Sequence, residues 1–192
     1  MADQTIIIIR HAEKPEPGGD NGVDASGALD PKSLTPRGWQ RAGAWTELFA
    51  PSLGRQSVLP KPAAMFASAP ESKEGIKAGD GGSKSRRPSE TITPLAAKLN
   101  IQVDLGFSKG NETALAAAIS AIDGVVLVCW QHEDILAIST ALAPIPAGLP
   151  ADWPGDRFNV MFRFDRPDRA SPWVFQQIVP IMLDSDVSNP IL

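Results

Sequence analysis

The apolar positions of this chain gather in short unbroken runs. TIIII (residues 5–9) and GVVLVCW (124–130) are rich in β-branched residues and suit strands covered on both faces, as in a parallel sheet. AAMFASA (63–69) is a weaker run of the same kind, and IQVDL (101–105) is weaker still. FNVMFRF (158–164) alternates, setting Phe158, Val160, Phe162 and Phe164 on one face, and WVFQQIV (173–179) predicts a final strand.

Between these runs the period turns helical. LTPRGWQRAGAWTELF offers Thr35 as N-cap and Pro36 at the first helical position, then Trp39, Ala42, Trp45 and Phe49 at helical spacing. NETALAAAISAI predicts a helix capped by Asn111, with Leu115, Ala118, Ile119 and Ile122 facing inward. HEDILAISTAL carries Ile135, Leu136 and Leu142. RPSETITPLAAKL predicts a further helix that Pro94 should break or restart. Strands that alternate with helices argue for an α/β fold.

Two long polar stretches interrupt the pattern. Residues 15–33 are rich in Gly, Pro and Asp, and residues 70–85 are polar and glycine-rich. Connections of that length in a compact domain are often functional or mobile. The second leads into Arg86 and Arg87, which predicts a flap at the mouth of a site.

Composition narrows the classes. The chain has 192 residues with 43% hydrophobic content, enough for one domain with a sizeable core. Its net charge of −4 gives no general attraction to nucleic acid or to anionic membranes. The lone cysteine, Cys129, has no partner for an internal disulfide and reads as a small buried hydrophobe. No apolar stretch reaches the roughly 18 residues of a membrane span, and the N-terminus lacks a basic leader, so a cytoplasmic protein is expected.

The chemistry lies at the strand ends. The chain has two histidines, His11 after IIIIR and His132 after VVLVCWQ, each just beyond a buried-type strand. Open α/β sheets bind ligands outside the carboxyl ends of their strands. Neighbouring strands would bring both imidazoles to one crevice, with Arg10 beside His11 and Arg87 at the start of a predicted helix. Clustered arginines and helix N-termini suit a phosphate dianion, and a neutral imidazole among them is a suitable nucleophile for phosphorus. Two histidines without a cysteine or carboxylate cluster at ligand spacing make a poor zinc site.

With these residues the sequence resembles the histidine phosphatase superfamily, the phosphoglycerate mutase-like fold. The resemblance rests on Arg10-His11 in RHAEK, on Arg87 four residues before Thr91 in RPSET, on His132 in CWQHEDI, and on LTPRGWQRA as the first helix. It spans roughly residues 5 to 142. Ala12 follows the first histidine, as in the small phosphohistidine-phosphatase-like members, and the mutase loop is absent.

The resemblance implies a three-layer α/β/α sandwich with a mostly parallel central sheet, in one domain over residues 1–192. It implies a phosphatase that uses neither metal nor cofactor and passes through a phosphohistidine on His11, while Arg10, Arg87 and His132 bind the phosphoryl oxygens. For the general acid, Glu133, Glu112 and no acid at all stay open. Lys14 is a candidate substrate contact, Glu13 a candidate partner orienting Arg10 or His11, and Trp130 a candidate pocket wall. The expected partner is a phosphorylated small molecule or phosphoprotein. The alternatives are a phospho-ligand binding module and a phosphomutase.

Overall fold

The computed structural model describes residues 3–70, 84–143 and 147–192. Among them the chain runs β1 (Gln4–Arg10), α1 (Pro36–Phe49), β2 (Ala64–Ala67), α2 (Arg87–Leu99), β3 (Val103–Asp104), α3 (Glu112–Ser120), β4 (Gly124–Trp130), α4 (His132–Leu142), β5 (Met161–Arg166) and β6 (Val174–Ile178). The expected flap over residues 70–85 falls, but for its ends, outside the described residues.

The described strands form one sheet in the order β3-β2-β4-β1-β5-β6. The pairs β3-β2, β2-β4 and β4-β1 are parallel, and β5 turns the sheet antiparallel against both β1 and β6. β1 and β4 lie side by side, with Ile9 opposite Cys129 and Arg10 opposite Trp130. Both therefore deliver their following residues to the same edge.

The apolar runs divide by parity, because successive strand side chains point to opposite faces. Ile6, Ile8, Val126, Val128 and Trp130 pack under Leu115 and Ile119 of α3 and Ile135 and Ile138 of α4. Ile7, Ile9, Leu127 and Cys129 pack on the other face under Trp45 and Phe49 of α1 and Ile92 and Leu95 of α2. Two cores with the sheet between them make the three layers, and they explain why these strands read as continuous rather than alternating hydrophobics. Cys129 is fully buried, as its setting predicted.

Local expectations meet three corrections. Pro94 lies inside α2 without ending it: the helix loses one backbone hydrogen bond but keeps Ile92, Leu95 and Ala96 in the core. Asn111 holds the N-cap position of α3, but its side chain makes no cap hydrogen bond, and Ala116 rather than Ala118 is buried. β5 starts at Met161, so Phe158 leaves the sheet and lies against the Arg10 guanidinium instead. At α1 the expectation holds, since Thr35 Oγ1 accepts from Gly38 N–H at 3.1 Å.

Candidate active site

His11 is the first residue past β1. Its N–H donates to the Trp130 carbonyl at 3.0 Å, so pairing with β4 continues beyond the strand. The next N–H, of Ala12, donates to Thr91 Oγ1 at 2.9 Å, and that hydroxyl donates to the Arg87 carbonyl at 2.7 Å. One buried hydroxyl thus fastens the chain after His11 to the first turn of α2. The Arg87–Thr91 spacing is one helical turn, which lets Thr91 reach both Ala12 and its own Arg87 carbonyl.

The His11 ring is 4% exposed. Its Nδ1 lies 2.7 Å from the Ala12 carbonyl, which can only accept, so Nδ1 carries the proton and Nε2 keeps its lone pair. Burial first, then the Arg10 charge, pushes its pKa down to about 3, with Arg87 and His132 adding to the shift. The imidazole is therefore neutral, next to Arg10 in the chain and joined through Ala12 and the Thr91 hydroxyl to the backbone of Arg87.

Arg10 is fully buried. Its Nη1 donates to the carbonyls of Pro154 (3.1 Å), Gly155 (2.9 Å) and Arg157 (3.2 Å), while Cζ stands 3.9 Å over the Phe158 ring. Nη2 approaches His132 Nδ1 at 3.4 Å, and Nε has no partner. Burial lowers its pKa to about 10, so it stays charged at neutral pH. The loop before β5 therefore sets this guanidinium from behind.

Arg87 is held by the loop of residues 15–33. Nε donates to the Ser33 carbonyl at 3.2 Å and Nη2 to the Pro31 carbonyl at 2.7 Å. The loop is in turn latched to α2, where the Glu90 carboxylate accepts from Ser33 Oγ at 2.6 Å and from Leu34 N–H at 2.9 Å. That long polar stretch is the mount for the second arginine.

His132 opens α4. The His11 and His132 rings stand edge to face with centroids 6.5 Å apart. His132 Nδ1 lies 2.8 Å from Glu133 Oε2. This contact outranks the 3.4 Å approach of Arg10, because it is shorter and runs to a carboxylate. Nδ1 then donates to Glu133, and Nε2 is left for a ligand.

Glu133 is exposed and ion-paired. His132, and then Lys109 at 2.7 Å, hold its carboxyl well below the usual carboxylate range. An ionised carboxylate anchored by two donors positions the ring that donates to it. Glu112 is buried, with Oε1 accepting from Trp130 Nε1–H and from Gly110 N–H, each at 3.0 Å. Trp130 is wholly buried in the core instead of walling a pocket. Lys14 pairs with Glu16 at 3.4 Å, and Glu16 in turn acts electrostatically on Arg87.

Glu13 orients neither Arg10 nor His11 directly. Its carboxylate receives Arg41 Nε at 2.9 Å and Nη2 at 2.7 Å, and Asp186 takes the far side of the same guanidinium at 2.7 and 3.0 Å. Arg41 is 2% exposed. This clamp ties the segment after His11 to α1 and to the C-terminal tail. Arg41 was legible as an arginine on the buried stripe of α1. Phe158, Glu90 and Gln131, which stands between Trp130 and His132, gave no signal that sequence reasoning could use.

No protein-family model and no curated protein matches the sequence. Solved structures do. A protein histidine phosphatase SixA complexed with tungstate is 13% identical with a TM-score of 0.53, over 91% of this chain and 96% of that one. A mycobacterial glucosyl-3-phosphoglycerate phosphatase complexed with VO3 is 12% identical (TM-score 0.47, over 91% of this chain and 97% of that one). A structure described as mycobacterial hydrolase 2 is 13% identical (TM-score 0.48, 93% and 91%). The first of these likenesses establishes the fold: this chain is built like a protein histidine phosphatase, with Arg10 and His11 at the carboxyl end of its first strand.

Proposed function

We propose that this protein is a phosphatase that hydrolyses phosphate monoesters or phosphoramidates through a phosphohistidine on His11. One observation carries the reading. The His11 imidazole is neutral, buried, protonated on Nδ1, and set among Arg10, Arg87 and His132. A nucleophilic nitrogen inside a cationic cluster matches phosphoryl transfer, in which catalysis is mostly positioning and charge stabilisation. That the fold also holds tungstate in the histidine phosphatase structure, a tetrahedral oxyanion like phosphate, supports the reading.

In this mechanism His11 Nε2 attacks phosphorus in line, the P–N bond forms, and the bond to the leaving group breaks. Arg10 and Arg87 balance the charge on the equatorial oxygens, and His132 Nε2 donates to one of them when it too carries a proton. Water then attacks the phosphohistidine, the P–N bond breaks, and the lone pair returns to Nε2 as inorganic phosphate departs. The guanidinium groups supply the positive charge, so no metal ion is required for these steps. With Glu133 ionised, leaving groups that depart without a proton from the protein are favoured, such as nitrophenolate, or that take one from solvent, such as a phosphoramidate nitrogen.

Turnover of p-nitrophenyl phosphate with and without EDTA tests the reading. The wild-type protein should turn over equally in both, and His11→Ala should keep its thermal melt and lose activity. A well-folded His11→Ala that retains more than about a tenth of wild-type kcat, a loss under about 1.4 kcal/mol in the barrier, would overturn it. Phosphate binding without any turnover in the wild type would mark a binding module instead.

A further inference from the structure

We propose that Gln131 is a further substrate-binding residue, its side-chain amide donating to a phosphoryl oxygen beside His11; the inference rests on the phosphatase reading. Gln131 is 3% exposed, yet among the described residues neither Oε1 nor Nε2 has a partner. Buried side-chain amides are nearly always satisfied, so an orphaned one next to a candidate anion site calls for a partner that a bound phosphoryl oxygen can supply.

Register says where the amide stands. Arg10 pairs with Trp130, and the bond from His11 N–H to the Trp130 carbonyl carries the ladder one residue on. Gln131 keeps extended angles, with φ −75° and ψ 135°, so it continues β4 alongside His11. Neighbours in a parallel register point to the same face of the sheet. Ile9 and Cys129 face the layer of α1 and α2, and two residues on His11 and Gln131 face the same side, where Arg87 begins α2. A carboxamide is neutral and adds a donor without lowering the His11 pKa further, which a third cation there would do. Gln131 makes no side-chain cap bond to α4, so its amide is not committed to the helix it precedes.

The experiment compares wild type, Gln131→Met and Gln131→Asn. It measures KM for p-nitrophenyl phosphate, the inhibition constant of inorganic phosphate, and the thermal melt of each preparation. Gln131→Met removes an unpaired amide at nearly constant volume, so it should melt at or above the wild-type temperature. Its phosphate inhibition constant should rise about tenfold, the scale of one hydrogen bond to a charged group. Gln131→Asn withdraws the amide by one methylene and should show the same weakening. An inhibition constant within twofold of wild type in Gln131→Met would overturn the inference. So would a Gln131→Met protein that melts several degrees lower or fails to fold, since the amide would then be serving the fold. Loss of activity in His11→Ala with unchanged constants in Gln131→Met removes the Gln131 role alone. A wild-type protein without turnover removes both.

Discussion

A buried neutral histidine should leave a mark on stability as well as on catalysis. His11 has its pKa pushed down to about 3 by burial and by Arg10, against an ordinary 6.5. Between those values the unfolded chain binds a proton that the folded chain refuses, so stability rises with pH across the window and is lost as the pH falls below 6.5. The slope is about 1.36 kcal/mol per pH unit for one proton, so moving from pH 6.5 to 5.0 should cost about 2 kcal/mol. In a domain of this size that is about 4–8 °C in Tm. Other groups contribute to the pH dependence, burial raising the pKa of both Glu90 and Asp134, so the observable is a difference. His11→Asn keeps a donor near the Ala12 carbonyl and removes the titrating ring. Denaturant melts of both proteins at four or five pH values should show wild type losing about 2 kcal/mol more than His11→Asn over that interval. Parallel profiles would mean that His11 is solvated or already charged, and the neutral nucleophile would be lost with it.

Two further outcomes follow from particular contacts. A Cβ at Gly38 would stand 2.6 Å from the Glu13 carbonyl and 3.0 Å from Leu34 Cβ, whereas one at Gly43 on the same helix meets nothing within 4 Å. Gly38→Ala should therefore destabilise by about 1–3 kcal/mol and lower kcat, because the displaced backbone is two residues from His11, while Gly43→Ala should stabilise by up to about 1 kcal/mol; equal thermal shifts would refute the close approach of α1. Glu133→Gln keeps an acceptor for His132 Nδ1 and should slow p-nitrophenyl and phenyl phosphate by the same factor, under tenfold; a much larger loss on the poorer leaving group, phenol, would restore Glu133 as the proton donor.

What the sequence determined by itself is the part governed by local pattern. Continuous β-branched runs define β1 and β4 as strands covered on both sides, Thr35-Pro36 starts α1, and a histidine past each of two such strands marks the edge of the candidate site. These follow from steric and burial preferences that act within a few residues of chain. The tertiary structure decided whatever depended on contacts between distant segments. Pro94 stays helical because Ile92, Leu95 and Ala96 anchor both of its sides to the sheet. Phe158 leaves its strand pattern because the Arg10 guanidinium takes its ring as a support. Glu13 turns from the site to Arg41 because α1 and the tail bring a buried guanidinium and Asp186 within its reach. Glu133 is held as an ion-paired anchor because Lys109, 24 residues earlier, arrives beside it. An ionisable side chain takes its role from the charges that the fold places around it, and those neighbours come from segments far apart in the chain.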